Sequence, residues 1–338
     1  MTSSDQSSLD HYLKPLESLM LDPSITEICI QEQGTVYIER HNGWSRIEND
    51  VFTNQWCRHL AQLVATSTSQ RVNAQCPLLS AGLPRGERLQ VVLPPATLPD
   101  HVVIAIRKPN HALLSLEELK RGGFFSQVKV NEPVKPCDEL IETFRSKRWT
   151  EFLRVAVQSR LNIVVAGATG SGKTTLTKAL IAEIPSTERL ISIEDTPELD
   201  FVKHPNSVRL LYSKDSQGVA KVTPKQLLEA SLRLRPDRIM LAELRGEEAY
   251  YYCRNISSGH AGSITSIHAG SPATTFIQLA FLIKESGPGR EMSSRDIKRM
   301  LRATIDLIVV CGRSHGQRGI KSLWWRDEPQ ALNQSNSH

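Results

Sequence analysis

Residues 161–176 read LNIVVAGATGSGKTTL, and no other stretch constrains the chain as strongly. Residues 161–166 are largely apolar and β-branched over the length of a strand. Gly167, Ala168, Thr169, Gly170, Ser171, Gly172, Lys173 and Thr174 then satisfy G-x-x-x-x-G-K-[ST] at every fixed position, with Thr175 directly behind. The continuation TTLTKALIAEI puts Leu176, Ala179, Leu180 and Ile184 at helical spacing. Strand, glycine loop and helix is the context in which this motif works.

The residue types follow from the chemistry of phosphate. Glycines let the backbone turn tightly with no Cβ in the way, so that successive N–H groups line a concave anion site at a helix N-terminus. Lys173 is placed to reach the β- and γ-phosphates, and the Thr174 hydroxyl to ligate Mg²⁺. The expected ligands are therefore a nucleoside triphosphate and Mg²⁺.

At 338 residues the length favours two domains. The division expected is a start without regular structure over 1–8, an α+β domain over 9–119, a linker over 120–149, an α/β domain over 150–330 and a tail over 331–338. A net charge of +5 permits contact with anionic lipid or nucleic acid but is too small to argue for either. The first residues, MTSSDQSSLDHYL, lack the pattern of a signal peptide, and no apolar run approaches the length of a membrane span. Six scattered cysteines with no C-x-x-C pair read as reduced residues rather than a zinc site or disulfide frame. A cytoplasmic protein is expected.

Along the chain, an amphipathic helix over 9–21 precedes three strands, ITEICIQ, TVYIER and SRIE, turning at Gln33-Gly34 and Asn42-Gly43. A helix over 53–66 and two strands, ERLQVVLPP and HVVIAIRKP, follow. From Thr150, read as a helix cap, helices and strands alternate: ERLISIED, SVRLLYS, DRIMLAEL and GSITSIHA join the glycine-loop strand, and IDLIVVCGR with GIKSLWWRD form a hairpin. Alternation behind a phosphate loop argues for a RecA-like, mostly parallel sheet.

Four clusters add candidates. DRIMLAELR is an apolar strand ending in Glu243, where such enzymes hold Mg²⁺ or orient the attacking water. Glu194 and Asp195 end another strand, where acids face the ligand crevice and one of the two can orient water or hold a metal-bound water, with Asp195 the better fit to capping the Thr196-Pro197 turn. His260 and His268 stand eight apart without a third ligand, which rejects zinc. His268 is placed to read the γ-phosphate or bond Glu243, and His260 to stabilise its turn. Arg233, Arg235 and Arg238 precede the acidic strand and can complement a helix end or supply an arginine finger. Arg88, Arg107 and Lys108 carry the same ambiguity.

In order, GATGSGKTT, ISIEDTPEL, LRLRPDRIMLAELRGEEAY and SGHAGSITSIHAG resemble the Walker A, Asp box, Walker B and His box of the secretion ATPase superfamily. The wording looks most like the traffic ATPases of bacterial type IV secretion and conjugation. The resemblance implies a cytoplasmic homohexameric ring docked at the inner membrane, with ATP between two domains. It places Glu194, Glu243 and His268 around the γ-phosphate, makes Arg107 the first-domain arginine that reaches nucleotide, and leaves Arg233 and Arg235 as alternatives. Ala242 stands where these proteins usually carry glycine. A RecA-like DNA translocase or helicase and a non-hydrolysing nucleotide-binding scaffold are the competing expectations.

Overall fold

The computed structural model describes residues 3–109, 114–128, 130, 136–213, 218–314 and 316–328, the side chains of 3–7 apart. Its first sheet is antiparallel, built from β1 (Glu27–Glu32), β2 (Thr35–Arg40), β3 (Gly43–Glu48), β4 (Leu78–Gly82), β5 (Arg88–Val92) and β6 (Val103–Arg107) in the order β3-β2-β1-β6-β5-β4. Helices α1 (Ser3–Leu13), α2 (Glu17–Leu21) and α3 (Asn54–Ser67) accompany it. Residues 3–8, expected to lack regular structure, are thus helical, while 1–2 and the expected tail 331–338 lie outside the described residues. β4 is absent from the sequence reading, because CPLLSAG offers little alternation.

Period-2 alternation explains why β1 and β2 are buried almost throughout. Ile28, Ile30, Val36 and Ile38 join the core shared with α1 and α3, whereas Cys29 and Tyr37, on the opposite face, join the core of the second sheet. The first sheet is therefore apolar on both faces, one for its own helices and one for the rest of the chain.

The second sheet contains β7 (Ile163–Gly167), β8 (Leu190–Glu194), β9 (Ser207–Leu211), β10 (Arg238–Leu241), β11 (Ile264–Ile267), β12 (Leu307–Ser314) and β13 (Gln317–Trp325). The order is β13-β12-β7-β11-β10-β8-β9, parallel except for β13, which is the RecA-like arrangement expected. After α4 (Leu116–Arg121) come α5 (Asp138–Arg145), α6 (Trp149–Gln158), α7 (Lys173–Ile181), α8 (Pro224–Ser231), α9 (Glu248–Ser257), α10 (Pro272–Glu285), α11 (Gly287–Glu291) and α12 (Ser294–Thr304). Both faces are covered, as a parallel sheet requires. Ile163 and Val165 of β7 pack with α5, α6 and α7, and Val164 and Ala166 with the core of α8, α9, α10 and α12.

Three local details differ from the sequence reading. Thr150 lies inside α6, whose N-cap Arg148 makes no side-chain capping bond to the helix. Helix α7 stops at Ile181 with Ala179 exposed, so its buried face runs through Thr177, Leu180 and Ile181. Helix α5 falls within 120–149 yet is packed into the second body, where Phe144, Phe152 and Trp325 have ring centroids 5.0–5.4 Å apart. None of the described helices is long and apolar enough to cross a membrane.

Candidate active site

Parallel strands bring their carboxyl ends to one edge, and ligands of such sheets bind there. Here β7, β11 and β10 are neighbours, with Ala166 level with Ile267 and Leu241 level with Thr265. Gly167, Glu243 and His268, remote in sequence, converge for that reason. A crevice of about 380 Å³ opens between them, lined by Lys173, Thr174, Asp195, Glu243, Arg245 and His268 among others.

The loop is shaped as its sequence demands. Gly172 caps α7 at φ 99°, a conformation costly for any residue with a Cβ. At Gly167 a Cβ would stand 2.7 Å from the Cys311 carbonyl, so the backbone can pass only without a side chain. Lys173 is buried, and its Nζ donates to the Gly167 carbonyl at 2.8 Å and the Ala168 carbonyl at 3.2 Å. Burial pulls the Lys173 ammonium below its ordinary pKa, opposed by the charge of Glu243. Nζ also lies 3.5 Å from His268 Nδ1.

On the opposite wall His268 Nε2 is 2.8 Å from Glu243 Oε1. Arg245 is paired with Glu243 and, at 2.9 Å, with Asp195 Oδ2. Burial works against the Arg245 charge, but Glu243 and Asp195, with a smaller part from Tyr212, together raise the guanidinium above its usual value. Arg245 is not among the residues that the sequence motifs single out, although it stands two residues past the acid. Its backbone N–H is held by Glu248 Oε1 at 2.6 Å, which fixes the segment between β10 and α9.

Glu194 does not face the crevice. It is fully buried, accepting from Ser192 Oγ at 2.6 Å and from the backbone N–H groups of Glu198 and Leu199 at 2.8 Å each. Arg209 on β9 pairs with it at 3.1 Å. Asp195, the better fit to the turn cap in the sequence, does accept from the Thr196 N–H at 3.0 Å, yet of the two acids it is the one that lines the crevice. His260 does not line it either; burial, Arg235 and Arg160 together lower its pKa.

The remaining candidates sit elsewhere. Arg107, Arg233 and Arg235, with Arg88, line a separate cavity of about 530 Å³ at the junction of the two sheets, which shares no residue with the crevice. Arg233 donates to Ser80 Oγ at 2.8 Å and Arg235 to Glu39 Oε2 at 3.0 Å, so both tie the second body to the first. Arg238 is buried, held by Glu188 at 2.8 Å, and is structural.

The residues present fit a nucleotide. Ser171 Oγ and Thr177 Oγ1 are buried without partners among the described residues. Loop amides, a cation and free hydroxyls suit polyphosphate, while Thr174 on the crevice wall beside Asp195 and Glu243 suits a hard, oxygen-bound cation.

Residues 140–315 match the family model described as Type II/IV secretion system protein. The type IV secretion system protein VirB11 of Bartonella quintana is 43% identical over 93% of this chain and 91% of its own. PtlH of Bordetella pertussis, also a type IV secretion system protein, is 38% identical over 95% and 96%. Among solved structures, the VirB11 ATPase of the Brucella suis type IV secretion system, in complex with sulphate, superposes with a TM-score of 0.91. It is 39% identical, covering 99% of this chain and 98% of that one.

Proposed function

The chain belongs to the type II/IV secretion system protein family, and from that premise we propose how its residues divide the work of a nucleotide-driven motor. It is a nucleotide-binding ATPase of type IV secretion. The observation that carries the site assignment is the crevice in which Lys173, Glu243 and His268 converge on one phosphate loop. Loop amides and Lys173 hold the β- and γ-phosphates, and Thr174 holds Mg²⁺, which supplies charge neutralisation at the transferring phosphoryl group. Glu243 orients the attacking water, and His268 keeps Glu243 in place while reading the γ-phosphate. Asp195 is the second acid of the wall, in place of Glu194, and Arg245 bridges it to Glu243.

One lysine is little positive charge for a triphosphate. Arg107, with Arg233 or Arg235, reaches a nucleotide bound by a neighbouring copy in a homohexameric ring at the cytoplasmic face of the inner membrane. The first sheet with α1–α3, and the second with α5–α12, are the two bodies that hydrolysis moves against each other. The chain's partners are other components of the secretion apparatus. Electron microscopy of the purified protein with a non-hydrolysable ATP analogue tests ring order and nucleotide position together. Monomers with nucleotide bound away from the loop would overturn the reading.

A further inference from the structure

The β12–β13 hairpin carries two arginines that the chemistry above leaves unused. β12 lies beside β7 on the side away from β11, with Cys311 level with Gly167, so the hairpin runs on past the phosphate loop. Arg313 and Arg318 face each other across it. A Cβ on Gly170 would stand 3.6 Å from Arg313 Nη2, and a Cβ on Gly172 would stand 3.6 Å from Arg318 Cδ. Two guanidinium side chains are thus laid against two glycines of the loop. Both are exposed, and neither has an ion-pair partner among the described residues.

Like charges directly opposite on neighbouring strands destabilise a sheet, and an anion between them reverses the sign. The bound nucleotide has a direction. Its γ-phosphate belongs with Glu243 and His268, on the β10 and β11 side of the loop, so its nucleoside end runs out on the β12 side, where this pair stands. Guanidinium is suited to that end, since its fork donates to a phosphate and its plane stacks on a base.

We propose that Arg313 and Arg318 bind the nucleoside end of the nucleotide, at the α-phosphate and the face of the base. The proposal rests on the reading of the crevice as an ATP site. Its test is Arg313→Gln, Arg318→Gln and the double variant in the full chain, with Lys173→Ala alongside. KM for ATP and Kd for ADP should each rise about tenfold per arginine, the usual worth of a charge-assisted hydrogen bond. Turnover at saturating ATP should fall far less than KM rises, and inhibition by pyrophosphate, which has no nucleoside end, should be kept. Circular dichroism confirms the fold of each variant. Unchanged ADP affinity in the double variant, with Lys173→Ala binding nothing, overturns the proposal alone. Equal weakening of ADP and pyrophosphate also overturns it, reducing the pair to general positive charge. If Lys173→Ala binds ADP like the wild type, the crevice reading itself is wrong.

Discussion

His268 joins Glu243 to Lys173: its Nε2 lies 2.8 Å from Glu243 Oε1 while its Nδ1 lies 3.5 Å from Lys173 Nζ. An ammonium can only donate, so Nδ1 must be the lone-pair nitrogen and Nε2–H the donor to Glu243. Glu243→Gln keeps the shape and removes the charge. It should bind ATP normally and hydrolyse it roughly 10²–10⁴-fold more slowly, the range for loss of a positioned base. Phosphate release with a parallel nucleotide-retention assay checks this, and turnover within threefold of wild type would sink the role.

Lys173→Ala removes the one cation inside the loop and frees two carbonyls that it now holds. The strand and helix around it are packed independently of that side chain, so the fold should survive. Turnover should fall by about 10² or more, because stabilisation of the transferring phosphoryl charge is lost. Near-wild-type hydrolysis by a folded variant would rule out the phosphate-loop assignment.

Glu194→Gln separates a structural acid from a catalytic one. The carboxylate accepts from a hydroxyl, two backbone N–H groups and Arg209, all out of water. An amide turns one acceptor into a donor facing donors and leaves Arg209 short of its counter-charge. A loss of roughly 2–4 kcal/mol is expected. Chemical denaturation should show that loss, with turnover below the transition reduced less than tenfold. A wild-type midpoint combined with a hundredfold loss of turnover would return Glu194 to the crevice.

The contrast between Glu194 and Asp195 shows where sequence reasoning ends. The loop, the acid of β10 and the histidine of β11 are legible because motif and strand ends are local patterns. Which of two adjacent acids faces the ligand depends on the parity of β8, and a strand buried on both faces carries no polar alternation to reveal it. The position of Arg245 two residues past Glu243 is legible, but its role is not, since nothing local distinguishes an arginine folded back onto its own strand end from a solvated one. The arginines of 88, 107, 233 and 235 were visible as types, but their gathering into one cavity depends on how the two sheets pack.

Glu27 lines that cavity and is buried, with Oε1 lacking a partner among the described residues. Burial pushes its carboxyl from an ordinary 4.5 up to about 7, with Glu39 adding to the rise and Arg107, Arg189 and Arg235 opposing it. Between these values the folded state binds more protons than the unfolded one, so stability falls as pH rises through that window. The penalty at pH 8 is about 3 kcal/mol. Glu27→Gln carries no charge to bury and should flatten the stability profile between pH 5 and 7, gaining over wild type at pH 8. Parallel profiles for the two proteins would show that Glu27 ionises without cost.

The last prediction concerns the route by which arginine reaches the nucleotide. Arg107 ends β6 and lines a cavity that shares no residue with the crevice of its own chain, so in this arrangement it is not part of the wall around its own phosphate loop. Arg235 is a poorer probe, because its pairing with Glu39 ties the two bodies together and its loss would disturb their packing. Arg107 is exposed at a strand end, and Arg107→Ala should keep fold and assembly while removing most turnover. An arginine supplied from outside is worth roughly 10³–10⁵ in rate in other phosphoryl-transfer systems. Mixing Arg107→Ala with Lys173→Ala subunits decides the route. If Arg107 acts on a neighbour, some interfaces in a mixed ring set an intact loop against an intact arginine, and activity partly returns. If it acts within its own chain after a rearrangement of the two bodies, every subunit in the mixture lacks one required group and activity stays absent. Rings shown to exchange subunits yet recovering nothing would therefore exclude the neighbour route, and would assign the motion of the first sheet to closing over the crevice of its own chain.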